Sequence, residues 1–284
     1  MVSMFNSKKP CVWTFLFFFF FSLSFLSKAE TIHLMAGNWP PYLSPKMKDS
    51  GIAGRIVKES FSMKGHKVEI HFGHWKEGMD WAKAGRSPKG GKVHGTLLWF
   101  KTPEREKYLH YSEPIIHEKH VLFHRKDKNI RFKKYSDLSR LKIGAVIGFH
   151  YGKEFEEAER RNIIRVGRTY ISEFAFAFLV HKKIDVFPQE MLVGYHQLKE
   201  YFPRKLQDQI THYRGKPVFE GWSHLTLSKK HSKNKKLMTD FNEGYKKLKD
   251  SGKVKAYLDE VRNPRMDMYK NSLRGLMFIK KWKK

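Results

Sequence analysis

Four consecutive residues, Thr102-Pro103-Glu104-Arg105, are the first group in this chain whose types and spacing could do chemistry. A threonine can cap free backbone N–H groups, and proline is preorganised for the first helical position, so the tetrad predicts a helix start. Such a start presents unpaired N–H donors and a partial positive charge, which suits an anion. Arg105 in the first turn adds a planar fork that matches a carboxylate. The chemistry is anion capture through Thr102 and Arg105, with Trp99 on the apolar run that feeds the turn. Taken alone, the same residues also describe a surface turn with a solvated arginine.

Other side chains join this group only through the elements that carry them. Thr31 to Ala36 alternates apolar and polar residues and predicts a strand, ended by Gly37-Asn38-Trp39-Pro40-Pro41-Tyr42, whose prolines stiffen the path that presents Trp39 and Tyr42. Gly51 to Met63 has helical spacing, Lys67 to Phe72 alternates as a strand, and a helix opens at His74-Trp75 and stops at Gly85. Thr96 to Phe100 is a strand, and Tyr108 to Tyr111 another, stopped by Ser112-Glu113-Pro114. This β-α-β-α-β order predicts a partly parallel sheet with ligands at the carboxyl ends of its strands. Trp39, Tyr42, Trp75 and Arg105 all follow strands.

A second α/β pattern follows. Lys119 to Arg125 is a strand and Tyr135 to Leu141 a turn or short helix. Lys142 to Ile147 is a buried-type strand, and the loop Gly148 to Gly152 carries Phe149, His150 and Tyr151 ahead of a helix over Lys153 to Arg161. A strand over Ile163 to Val166, a helix over Ile171 to His181, a strand over Lys183 to Phe187 ended by Pro188-Gln189-Glu190, and a helix over Met191 to Tyr201 complete it. Gly221 to Ser228 predicts a strand returning to the first unit, followed by amphipathic helices over Leu237 to Leu248 and Lys253 to Val261. The chain thus crosses between two α/β units twice, near 119–125 and 221–228, which suggests paired hinge strands and an interlobe cleft.

The 284 residues carry 56 Lys and Arg against 28 Asp and Glu, and 15% aromatic residues argue against disorder. A single cysteine, Cys11, excludes a disulfide framework. Residues 1–29 have the plan of an export signal: Lys8 and Lys9, an apolar stretch from Val12 to Leu26, and small residues at Ser27-Lys28-Ala29. The charge favours anionic partners by its long-range field, but its even spread and the absence of a nucleic-acid motif leave nucleic acid out. Of the 15 histidines, His117, His120 and His124 cluster in sequence, as do His71 and His74. Zinc requires a defined ligand geometry, and these spacings read instead as exposed histidines on a basic protein. Neither metal nor other cofactor is expected.

Taken together, Gly37-x-x-Pro-Pro-Tyr42, the Trp75 helix, Gly91-Lys-Val-His-Gly95, Thr102-Pro-Glu-Arg105, Ser112-Glu-Pro114, Ile143-Gly144 with Gly148, and Lys183-Ile-Asp185 resemble the family 3 periplasmic solute-binding proteins of polar amino-acid ABC importers. The resemblance runs from about Thr31 to Arg262. It implies the two-lobed type II periplasmic binding protein fold, with lobe 1 over 30–120 and 222–262 and lobe 2 over 121–221. It also implies that Arg105 pairs with a ligand carboxylate, that Trp75 and Tyr42 pack on the ligand, and that Glu190 takes its ammonium group in place of the usual Asp. His94 stands where the family has Asp, and Phe149-His150-Tyr151 where it has a small hydroxyl, which fits an atypical, larger or more acidic ligand.

These readings predict an exported, monomeric, non-enzymatic periplasmic protein that captures a small carboxylate-bearing solute for an ABC permease or a membrane sensor. The same scaffold serves other functions, so two alternatives stand beside it. One is a dehydratase-like enzyme with Glu190 as general acid. The other is a basic membrane or cell-wall adaptor, using the tail 263–284, where Leu273, Leu276, Met277, Phe278, Ile279 and Trp282 mix with Lys and Arg.

Overall fold

The computed structural model describes residues 31–262. The expected export signal over 1–29 and the basic tail over 263–284 lie outside the described residues. Among those described, no helix is long and apolar enough to cross a membrane.

The first unit alternates strands and helices: β1 (Thr31–Ala36), α1 (Ile52–Ser62), β2 (Lys67–Phe72), α2 (Trp75–Ala84), β3 (Gly95–Phe100) and α3 (Pro103–Glu106). Then comes β4 (Leu109–Arg125), which leads to β5 (Lys142–Val146), α4 (Lys153–Arg160), β6 (Arg165–Thr169), α5 (Ser172–Val180), β7 (Val186–Glu190), α6 (Met191–Tyr201), α7 (Arg204–Gln207) and β8 (Ile210–His212). The chain returns on β9 (Phe219–Ser228) and ends in α8 (Asn234–Asp250) and α9 (Lys253–Arg262). The strand order is β2-β1-β3-β9-β4-β7-β5-β6, with β8 paired to β4. β1 runs parallel to β2 and β3, and β5 runs parallel to β6 and β7. β4 and β9 lie antiparallel between these two parallel sets, so the paired crossing strands expected from the sequence are present.

Alternation along β1 sorts the core into two sides. Ile32, Leu34 and Ala36 join α1, α8 and α9 in one cluster, whereas Met35 faces α2 in another. The α1 stripe of Ile52, Ile56, Val57 and Phe61 is fully covered, and each such side chain contributes about 1.5–3 kcal/mol by leaving water. Two further clusters flank the second parallel set, with Val186 of β7 in one and Phe187 in the other.

The structure corrects three element boundaries and adds two elements. The strands expected at 108–111 and 119–125 are one, because Ser112-Glu113-Pro114 is absorbed as a register shift and not a stop. Ser112 Oγ accepts the Leu225 N–H (3.0 Å), Asn242 Oδ1 accepts that of Glu113 (2.9 Å), and the Tyr245 hydroxyl donates to the Pro114 carbonyl (2.9 Å). Side chains thus replace the missing ladder bonds. β6 begins at Arg165 because Ile163 and Ile164 are spent closing α4, their N–H groups donating to the Ala158 carbonyl. Pro188, Gln189 and Glu190 belong to β7, with Pro188 opposite Leu122. α7 and β8 have no counterpart in the sequence reading.

Gly244 lets α8 lie against α1: a Cβ there would be driven into the Ser60 carbonyl oxygen. Gly244→Ala should therefore lower unfolding stability by about 1–3 kcal/mol, the usual cost of overpacking, as read by urea denaturation. Gly167→Ala, whose Cβ would meet nothing nearer than the Ile143 oxygen at 3.9 Å, is the control and should stay close to wild type.

Candidate functional site

Thr102 caps α3 as its sequence predicts, its hydroxyl accepting the Arg105 N–H at 3.3 Å. That turn points the Arg105 side chain back along β3. Nη1 donates to the Phe100 carbonyl at 3.1 Å, and the guanidinium lies 4.7 Å from the centre of the Trp99 ring. No carboxylate among the described residues forms an ion pair with it. Burial pulls its pKa down, opposed by Tyr111, Glu104 and Glu156.

The Trp99 ring is placed by an irregularity. Between Thr96 and Trp99, β3 has one residue more than β9 has between Thr226 and His224. Leu98 absorbs it at φ 56°, in the left-handed region. The bulge leaves Leu97 and Leu98 in the main core cluster and turns Trp99 to the α2 side. There its N–H donates to Thr96 Oγ1 (3.0 Å) and its ring meets Trp75 edge-on at 5.6 Å. Trp75, the first residue of α2, is also edge-on to Trp39 at 6.2 Å. Its indole occupies the space that a Cβ on Gly37 would need. Trp39, Trp75 and Trp99 thus form a wall that ends at Arg105.

Facing this wall is the loop between β5 and α4, carrying Phe149 and His150. Between them lies a cleft of about 60 Å³, lined by Trp39, Trp75, Leu98, Trp99, Phe100, Arg105, Glu118, His120, Gly148, Phe149 and His150. His150 pairs through Nδ1 with Glu156 and packs against Phe219 (5.4 Å) and Phe100 (6.1 Å).

Glu118 and His120 of β4 form the polar part of the lining. They are 2% and 3% exposed, and Glu118 Oε2 lies 3.1 Å from His120 Nε2. Burial pushes the Glu118 carboxyl up to about 8, with a hydrogen bond from Ser223 working against it. Burial holds His120 down at about 4, with Glu190 working against that. Both directions favour an uncharged pair at neutral pH, in which the carboxyl O–H donates to Nε2. Glu118 Oε1, His120 Nδ1 and Trp39 Nε1 are buried without a hydrogen-bond partner. All three belong to cleft residues, where an incoming polar group could satisfy them.

Of the residues singled out from the sequence, Trp75, Trp99, Arg105 and His150 line this cleft, and Thr102 stands behind Arg105 as its cap. Tyr42, Glu190 and Tyr151 do not line it. Tyr42 is in the core, and its hydroxyl donates to Glu190 Oε1 at 3.4 Å. Glu190 caps α6, with Oε2 accepting the Val193 N–H at 2.8 Å, and burial pushes its pKa up to about 7. Tyr151 is fully buried, and its hydroxyl accepts the Val146 N–H at 2.9 Å. His120 is buried, not exposed as its sequence neighbourhood suggests. Asp185 is structural, accepting the Lys142 N–H (2.8 Å) and pairing with Lys128 (2.6 Å). Sequence reasoning missed Phe100, Glu118 and His120 as site residues and did not separate Trp39 from Tyr42. The available signal was two polar residues two apart on a strand that otherwise reads as buried.

The sequence profile of the bacterial extracellular solute-binding proteins, family 3, matches residues 33–261. Among solved structures, the substrate-binding protein of an amino acid ABC transporter is similar at 23% identity and TM-score 0.63, over 81% of this chain and 98% of that one. A histidine kinase sensor domain with similarity to periplasmic binding proteins aligns at 19% identity and TM-score 0.67, over 84% and 98%. An ancestral arginine-binding protein bound to arginine aligns at 17% identity and TM-score 0.65, over 81% and 97%. A search of the curated proteins finds no match.

The uncharged Glu118 has a stability signature. Its folded-state pKa is raised, so between its ordinary 4.5 and about 8 the folded chain holds a proton that the unfolded chain has lost. The associated stability falls as pH rises through that window. His120, held below its ordinary 6.5, acts in the opposite sense, but only between about 4 and 6.5. From pH 6.5 to 8 the wild type should therefore lose stability that Glu118→Gln retains, measured by urea unfolding at both pH values. Equal losses in the two proteins would mean that Glu118 is ionised in the fold.

Proposed function

This chain belongs to the bacterial extracellular solute-binding proteins, family 3, and from that premise we propose that its cleft captures a small solute bearing a carboxylate, an amino acid or a close relative. The carrying observation is Arg105: a half-buried guanidinium on an aromatic wall, with no carboxylate of the described residues paired to it. Hydrogen bonds to a charged group in such surroundings are the stronger kind, and the two-pronged fork selects a carboxylate over a single acceptor. The tryptophan wall would cover the apolar part of the ligand, and the unpartnered atoms of Trp39, Glu118 and His120 would meet its polar part.

Ligand charge follows from the same lining. Similar structures include an arginine-binding protein, and a cationic side chain of that kind needs an ionised carboxylate. Among the described residues lining this cleft Glu118 is the only carboxylate, and burial favours its protonated form at neutral pH. With a net charge of +28 on the chain, a neutral side chain or an acidic ligand is favoured over a basic one.

In this reading lobe 1 covers 30–120 and 222–262 and lobe 2 covers 121–221. β4 and β9 act as the hinge, and Phe149 and His150 engage the ligand as the lobes close. The protein would act as a monomer outside the cytoplasmic membrane and hand its ligand to an ABC permease or report it to a membrane sensor. Relatives with both connections are known by structure. Weak contact of the basic tail with anionic lipid is compatible with either.

The test is calorimetry on wild type, Arg105→Ala and Arg105→Lys, using amino acids and small carboxylates that raise the melting temperature of the wild type. Loss of a charged hydrogen bond of about 1.5–3 kcal/mol predicts roughly ten- to hundredfold weaker binding in Arg105→Ala. Arg105→Lys, which keeps the charge but not the fork, should fall between. Equal affinity in all three would remove Arg105 from the site.

A further inference from the structure

At the edge of the sheet, away from the cleft, β1 and β2 run parallel with His33 opposite Glu69 and Met35 opposite His71. Alternate residues of a strand share a face. His33 on one strand and Glu69 and His71 on the other therefore project to the same side. His33 Nδ1 lies 3.1 Å from His71 Nε2 and 3.5 Å from Glu69 Oε2. The three donor atoms all fall within 4.8 Å of one another. We propose that His33, Glu69 and His71 form a binding site for a borderline divalent transition-metal ion such as Zn²⁺.

The geometry is close to what such an ion requires. Zinc bonds histidine nitrogen and carboxylate oxygen at about 2.0–2.2 Å, so tetrahedral donors stand about 3.3–3.5 Å apart. The two spacings from His33 Nδ1 are within a few tenths of an ångström of that, and the third donor pair lies within 4.8 Å. Two imidazoles and one carboxylate select Zn²⁺, Cu²⁺ or Ni²⁺ over Ca²⁺ and Mg²⁺, which take oxygen ligands. Three protein donors leave a fourth position open to solvent. Entry is open as well, since His71 is exposed and His33 and Glu69 are half-exposed.

Neighbouring contacts hold the donors ready. The His33 N–H donates to His94 Nδ1 (3.0 Å), and the His94 N–H donates to the His33 carbonyl (2.8 Å), so the backbone behind the first ligand is fixed from the side of β3. Lys67 bonds Glu69 through Oε1 at 2.8 Å, leaving Oε2 to face His33. An ion here would clip the edge strand β2 to β1 without touching any residue that lines the cleft.

Calorimetric titration of the untagged chain with ZnCl₂ should give one site per chain, and Co²⁺ should give visible absorption from the same site. Outer-shell partners of metals are already worth about 10–100-fold in affinity, so losing a ligand in His33→Ala or His71→Ala should weaken binding by at least about tenfold and abolish the Co²⁺ absorption. Glu69→Gln, isosteric and half-exposed, repeats the test if a histidine variant fails to fold, and His74→Ala should bind as the wild type does. No stoichiometric Zn²⁺ on the wild type, or an ion retained with full affinity by these ligand variants, would overturn the site.

Discussion

One extra residue in β3 between Thr96 and Trp99 governs the geometry of the cleft. A strand flips the face of its side chains with every residue, so a single insertion moves everything beyond it across the sheet. Leu98 takes the extra residue in a left-handed conformation at φ 56°, which costs a non-glycine residue roughly 1–2 kcal/mol. The return is Trp99 on the side of α2, where it supports Trp75 on one side and the Arg105 guanidinium on the other. Phe100, next in the chain, supplies the carbonyl that both Arg105 and the Tyr111 hydroxyl bond. Without the bulge, Trp99 would share a face with Leu97 and the wall would lose its centre.

The second determinant is dehydration without compensation. Acidic groups elsewhere on this basic surface find cationic partners: Glu243 with Lys64, Asp250 with Lys246, Glu159 with Arg168. Exposed pairs of that kind contribute little, of the order of 0–1 kcal/mol. In the cleft the pattern reverses. Arg105 is drawn from water with no acid beside it, while Glu118 and His120 resolve their burial by staying neutral and bonding each other. Leaving atoms of Glu118, His120 and Trp39 unpartnered costs stability at each. A ligand that supplied those partners would recover it, which gives the proposed site its selectivity.

Much of the architecture could be read from periodicity. α1, α2, α5, α6, α8 and α9 follow runs whose apolar residues recur at helical spacing, β1 and β2 follow plain alternation, and β5 follows a short buried-type apolar run. The Thr102 cap and Arg105 were equally visible, because cap chemistry is local. The readings that moved did so for non-local reasons. Ser112-Glu113-Pro114 looks like a stop until the side chains of Asn242 and Tyr245, over a hundred residues away, satisfy its backbone. Glu190 and Tyr151, expected at the ligand, have oxygens bonded to the backbone of α6 and β5.

The sequence by itself determined the fold family, through the order and spacing of short motifs along the chain, and the aromatic supply and the Thr102–Arg105 turn, which are local. Only the tertiary structure decided which of these side chains share the cleft. Glu118 and His120 became its buried polar pair through the meeting of β4 and β9. His33 met Glu69 and His71 through the parallel register of β1 and β2. Such juxtapositions depend on strand register and on a one-residue bulge. Both are set by the sum of distant pairings and leave no periodic trace in the chain that carries them.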